Sequence, residues 1–90
     1  MAQEAARDPT ELVRLAIREA LPDAEVEVRA TSPGHVEIDV TSAEFEGKSL
    51  VAQQQLVYRS IAHLMRGEGA PLHAVDRLRT RCRDRTDDSP

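Results

Sequence analysis

Tryptophan is absent from this 90-residue chain, and the other aromatics amount to one Phe (Phe45) and one Tyr (Tyr58). The core must therefore be aliphatic, built from Leu, Val, Ile and Ala. The scarcity counts against a single-strand nucleic-acid binder, which stacks bases on aromatic platforms. A single cysteine, Cys82, excludes an internal disulfide and fits a reducing compartment. No apolar run approaches the ~20 residues that span a bilayer, so no membrane is expected. The opening MAQEAARDP is acidic and has no apolar signal core. Residues 1–7 read as a flexible leader, and the location reads as cytoplasmic. A phosphate-binding loop is also missing. Gly67-Glu68-Gly69 is too short, and Gly47-Lys48-Ser49 has Ser42 where a Walker motif needs Gly. With no nucleophile–base–acid set either, the chain reads as a binding protein and not an enzyme.

Charge is mildly negative overall and unevenly spread. Residues 1–46 hold eleven acids against four bases, a net −7, while residues 47–90 hold five acids against eight bases, a net +3. Only the second half can form a basic patch, and a bulk phosphate binder is more basic than this.

Asp8-Pro9-Thr10-Glu11 signals a helix start: a capping carboxylate, a proline at the first helical position and a Glu three residues after the cap. Leu12, Val13, Ala16, Ile17, Ala20 and Leu21 follow at helical spacing, and Pro22 stops the helix. Residues 25–29 and 35–41 alternate polar and apolar around the turn Thr31-Ser32-Pro33-Gly34. They predict an antiparallel hairpin with Val26, Val28, Val36, Ile38 and Val40 facing a core. After a loop over 42–48, Ser49 caps a second helix predicted to reach Arg66, with Leu50, Val51, Val57, Tyr58, Ile61, Leu64 and Met65 on its apolar face. Gly67, Gly69 and Pro71 end it. Leu72 to Leu78 reads as a weaker third strand. The order α-β-β-α-β predicts a two-layer α+β sandwich, with a three-stranded mixed sheet carrying both helices on one face. The domain is read as residues 8–78, and residues 79–90 as a polar, disordered tail.

Phe45-Glu46-Gly47-Lys48-Ser49-Leu50-Val51, followed by Leu56-Val57-Tyr58, resembles the signature of the BolA family. His73-Ala74-Val75 matches the family's later His-Ala-apolar step, and Gly34-His35-Val36 resembles its small-His-apolar strand start. The likeness covers about residues 10–80. Gln53-Gln54-Gln55 stands where many members have Arg-His-Arg, which places the likeness closest to a bacterial branch with glutamines. The usual Thr-Pro-x-Glu-Trp ending is replaced by Thr80-Arg81-Cys82-Arg83. The resemblance implies a fold similar to class II KH domains. It also implies partnership with a monothiol glutaredoxin sharing a 2Fe–2S cluster, and a role in iron homeostasis and stress response. Partner and glutathione would supply thiolates, and this chain would supply His73.

An imidazole can replace thiolate on one iron of such a cluster, and one chain with one or two imidazoles cannot hold a cluster alone. Without the likeness, His73 reads as a strand-start imidazole bonded to a backbone carbonyl. The resemblance also implies a second Cys or His ligand from the loop between the first two strands; the loop 30–34 has no Cys, and His35, directly after Pro33-Gly34, is the nearest imidazole to take that place. The other reading of His35 is a hairpin-end side chain over the sheet. His63 reads as surface, and Cys82 as an ordinary tail thiol. Gln54 falls at the middle of the apolar face, where its amide is expected to bond backbone groups of the 42–46 loop. Gln53 and Gln55 are expected to point outward.

The second functional class is a KH-like nucleic-acid-binding transcriptional regulator. It would use Lys48, Arg59, Arg66, Arg77, Arg79 and Arg81, with Arg77 to Arg85 recurring every second residue. The Gly-x-x-Gly clamp of KH domains is missing. Association with a second copy completes the partner classes considered.

Overall fold

The computed structural model describes residues 8–83. The expected leader and the last residues of the expected tail lie outside them.

Helix α1 spans Pro9–Ala20. The Asp8 carboxylate accepts from the Thr10 N–H at 3.0 Å and from the Thr10 hydroxyl at 3.0 Å. Pro9 occupies the first turn, where a missing N–H costs nothing. Glu11 pairs with Arg14 one turn on. Val13 and Ile17 are fully buried, and Leu12 and Ala16 pack beside them. Leu21 closes the helix with its N–H on the Ile17 carbonyl at 2.8 Å.

Strands β1 (Glu25–Ser32) and β2 (His35–Ser42) pair antiparallel, and β3 (Ala74–Cys82) pairs parallel to β2. The order β1-β2-β3 makes a mixed sheet with β2 in the centre. Two neighbouring parallel strands need a long crossover, usually a helix. Here it contains α2 (Leu50–Ile61), capped by Ser49, whose hydroxyl accepts from the Ala52 N–H at 3.1 Å. The first turn after β2 is a short 3₁₀ helix, Ala43–Phe45, and a second 3₁₀ turn, Ala62–Met65, extends α2.

Along β2, Val36, Ile38 and Val40 are buried while Glu37, Asp39 and Thr41 are half-buried on the other face. The inner face meets the helices and Phe45, Val57, Ile61, Leu64 and Leu72. The single Phe is fully buried, so it is the largest piece of an otherwise aliphatic core. No helix among the described residues is long and apolar enough to cross a membrane.

Three expectations need correction. The third strand neither starts at Leu72 nor stops at Leu78. Leu72 is a buried core residue ahead of the strand, and β3 runs on to Cys82. Arg79 to Cys82 are therefore sheet and not disordered tail. Their pattern looks structureless because Arg77, Arg79 and Arg81 take the outer face, opposite Glu37, Asp39 and Thr41. Thr80 and Cys82 alternate with them, so only Leu78 gives an apolar signal. Arg83 is also tied down: its N–H donates to the Ser42 carbonyl at 3.1 Å, and its guanidinium donates to the Asp23 carbonyl at 2.8 Å.

Second, Leu50, Val51, Tyr58 and Met65 are exposed instead of lining the core. Only Val57 and Ile61 of α2 are buried. Val51 and Tyr58 sit roughly 100–120° around the helix from Val57, and Leu50 lies about 10 Å along the axis from it. A sheet below one face covers neither position.

Third, Gln53 and not Gln54 ties the loop to the helix. Its amide donates to the Lys48 carbonyl at 2.9 Å and reaches the Phe45 carbonyl at 3.5 Å. Its oxygen accepts from the Thr80 hydroxyl at 2.7 Å. One residue's rotation separates the two amides, and Thr80 of β3 stands on the Gln53 side.

Candidate functional site

The turn between β1 and β2 brings His35 and His73 to one end of the sheet. Gly34 has φ +78°, the left-handed region that glycine occupies freely. Its carbonyl accepts from the His73 N–H at 2.8 Å and from the Ala74 N–H at 3.1 Å. A Cβ on Gly34 would stand 2.8 Å from Cγ and from Nδ1 of the His73 ring. The glycine is thus required twice, by its backbone angle and by the imidazole lying against it. The His73 side chain is exposed. Its backbone takes the carbonyl bond that the sequence assigned to its ring, and no described residue is hydrogen-bonded to the imidazole.

His35 opens the central strand, opposite Ser32 of β1 and Ala74 of β3. Its Nδ1 lies 3.1 Å from Oδ1 of Asp76. The other carboxylate oxygen of Asp76 accepts from the Thr31 hydroxyl at 2.7 Å. Chiefly that hydroxyl, and then His35, hold the Asp76 carboxyl below its usual value. An open groove of about 340 Å³ adjoins His35, walled by the first turn of α1 and by residues 30–36.

This end of the sheet offers two imidazoles and the Asp76 carboxylate, and no thiolate among the described residues. Cys82 sits at the other end of β3, roughly 26 Å along the strand from Ala74. Its thiol is exposed and lies 3.5 Å from the Arg83 carbonyl. Among the described residues no group of three or more His, Cys, Asp or Glu is placed to hold a metal ion. The donor set suits a group whose remaining ligands come from elsewhere. A 2Fe–2S cluster takes four ligands, and imidazole is accepted in place of thiolate.

The six basic residues read as a nucleic-acid surface do not converge. Lys48 precedes α2, Arg59 lies on it, and Arg66 follows the second 3₁₀ turn, all exposed on the helical side. Arg77, Arg79 and Arg81 lie on the opposite face of the sheet, beside the acids of β2. On that face Arg29 reaches Asp39 at 3.1 Å and both Glu27 and Glu37 at 3.4 Å. His63 is exposed on the 3₁₀ turn.

The residues missed by sequence reasoning are the polar partners. Asp23 accepts from the Ser42 hydroxyl at 2.7 Å and the Ala43 N–H at 2.8 Å, which together hold its carboxyl below the usual value. The Arg83 guanidinium stands 3.6 Å away. Thr31 and Asp76 carried no local motif; 45 residues separate them.

Element order, mixed sheet and paired helices define a two-layer α+β domain of a known kind. The chain belongs to the BolA-like family: the family model for BolA-like protein matches residues 11–82. BolA1 from Arabidopsis thaliana superposes with a TM-score of 0.67 at 22% identity, covering 91% of this chain and 96% of that one. The BolA domain of SufE1 from the same plant gives 0.68 at 22% identity, covering 81% and 90%. A bolA protein homologue from Coxiella burnetii gives 0.66 at 24% identity, covering 83% and 91%. At these identities the likeness is one of fold. Comparison with curated proteins returns no match.

Proposed function

We propose that this protein is a non-enzymatic accessory protein that pairs with a monothiol glutaredoxin and helps hold or transfer a shared 2Fe–2S cluster. His73 is the principal ligand contributed by this chain, and His35 the second. The observation that carries the reading is the His73 ring: exposed, free of hydrogen bonds within the described residues, and fixed against Gly34 at the start of a strand. Such a nitrogen is set for a ligand outside the chain. The cluster, when bound, supplies one-electron chemistry and a transferable iron–sulfur unit. The chain's own part is to present imidazole at a defined place and to offer the adjoining groove to the partner. The free thiol of Cys82 agrees with a reducing, cytoplasmic setting.

The regulator reading loses support because its basic residues are split between two faces and the sheet-face arginines stand beside acids. The test is to mix the chain with a monothiol glutaredoxin, iron, sulfide and glutathione. A heterodimer absorbing in the visible range is expected, and His73→Ala should change its spectrum. Failure to form a complex at micromolar concentrations contradicts the proposal. Salt-sensitive DNA binding lost with Arg77, Arg79 and Arg81 would instead support the regulator.

A further inference from the structure

Two strand irregularities flank Val36, the residue after His35. On β1, Ala30 pairs with Val36 and Ser32 with His35, which leaves Thr31 as an extra residue. On β3, Val75 pairs with Val36 and Arg77 with Glu37, which leaves Asp76 as an extra residue. Each flanking strand thus carries a bulge, and the two fall on either side of Val36 in the central strand. Bulges interrupt the ladder and re-aim a side chain, and they concentrate near functional sites. Here both re-aimed side chains serve one ring. Thr31 donates to one oxygen of Asp76, and the other oxygen faces Nδ1 of His35. The hydroxyl and carboxylate come from opposite edges of the sheet and meet at the strand between them.

We propose that Asp76 is a positioning residue: with Thr31 behind it, it holds the neutral His35 ring as the Nδ1–H tautomer and turns a bare Nε2 outward for a metal ligand shared with a partner. The inference rests on the ligand reading of His35 given above. A carboxylate accepts hydrogen bonds and donates none, so its contact places the ring proton on Nδ1. The lone pair is then on Nε2, which has no partner among the described residues. Carboxylate–imidazole–metal relays work this way, fixing tautomer and ring orientation and raising ligand basicity. His73 has no such support, so the two imidazoles differ: one is packed against glycine and unbonded, the other is oriented by a carboxylate.

The test uses the full chain, labelled with ¹⁵N, with the pH raised until the imidazole resonances stop moving, so that the neutral ring is read. Long-range imidazole correlations are expected to show His35 protonated on Nδ1 and bare on Nε2. Asp76→Ala is expected to turn it into a mixture of tautomers, with His73 and His63 unchanged. The same variants are then loaded together with a monothiol glutaredoxin. Asp76→Ala should shift the visible circular dichroism of the cluster when His35 is present, and should add nothing to His35→Ala. A wild-type His35 with its proton on Nε2 overturns the proposal, and that reading needs no variant to fold. So does an Asp76→Ala ring unchanged from wild type. A locked tautomer combined with a His35→Ala cluster spectrum identical to wild type retains Asp76 as the orienting group and overturns its role toward the metal. Loss of the heterodimer altogether would instead fault the proposed function.

Discussion

At the residue scale the end of the sheet that carries His35 and His73 depends on one glycine. Gly34 is left-handed, and a methyl group there would meet the His73 ring at 2.8 Å. Gly34→Ala should therefore destabilise the fold by about 1–3 kcal/mol from backbone strain alone. It should also displace His73, because the ring must move or the turn must open. Urea unfolding reads the first effect, and the His73 ring resonances read the second. A Gly34→Ala protein as stable as wild type with an unmoved ring would show that the turn is not fixed as described.

Asp23 gives a pH dependence at the same scale. Its folded pKa is depressed by the Ala43 N–H and the Ser42 hydroxyl, with help from Arg83. A depressed carboxyl stabilises the fold above its unfolded value, about 3.9, and loses that contribution as pH falls through the folded value. Urea midpoints measured from pH 6 down to pH 2 should fall more steeply in wild type than in Asp23→Asn. Parallel curves would remove Asp23 from the acid response. Neither contact is visible locally in the sequence: Asp23 and Ser42 are 19 residues apart and meet only when β2 ends beside the end of α1.

At the scale of elements, patterning located most of the fold. Caps at Asp8 and Ser49 and the two alternating strands are local signals, and each is found, with β1 running on to Ser32 through the first half of the expected turn. The end of β3 escaped because a sheet edge with arginines on one face, a half-buried Thr80 on the other and an exposed Cys82 at its end has no apolar period. Its order comes from parallel pairing to β2, which is not a local property. The apolar face of α2 was read too wide for the same reason. Periodicity gives a direction around a helix, but not how much of that face a three-stranded sheet covers. Gln53 is the sharpest case. It links the loop before α2, the helix and β3 through three contacts. Gln53→Ala should cost about 1 kcal/mol by removing its bonds to the exposed Lys48 carbonyl and the part-buried Thr80 hydroxyl. Gln54→Ala, which removes no such bond, should stay within about 0.5 kcal/mol. Equal costs in chemical denaturation would contradict the assignment of the link to Gln53.

At the scale of the whole molecule, topology makes the candidate site. His35 and His73 are 38 positions apart in sequence, and the parallel register of β2 with β3 sets them side by side through the Gly34 carbonyl. The resemblance to BolA proteins singled out both residues in the sequence. It carried no sign of the two bulges, because a bulge appears only when two strands are aligned. The same topology divides the charge. One face of the sheet alternates acids and arginines, and Lys48, Arg59 and Arg66 lie on the helical side. This division is why a net basic second half does not make a basic surface.

The most direct measurement is hyperfine spectroscopy on the reduced 2Fe–2S heterodimer formed with a monothiol glutaredoxin. Strong coupling to imidazole nitrogen is expected with the wild-type chain. The His73→Ala chain should lose one coupled nitrogen, and ¹⁵N-labelled histidine in this chain alone should change the coupling. A cluster that forms but shows only sulfur coordination, unaffected by His73→Ala, would contradict the assignment of this end of the sheet as a ligand site.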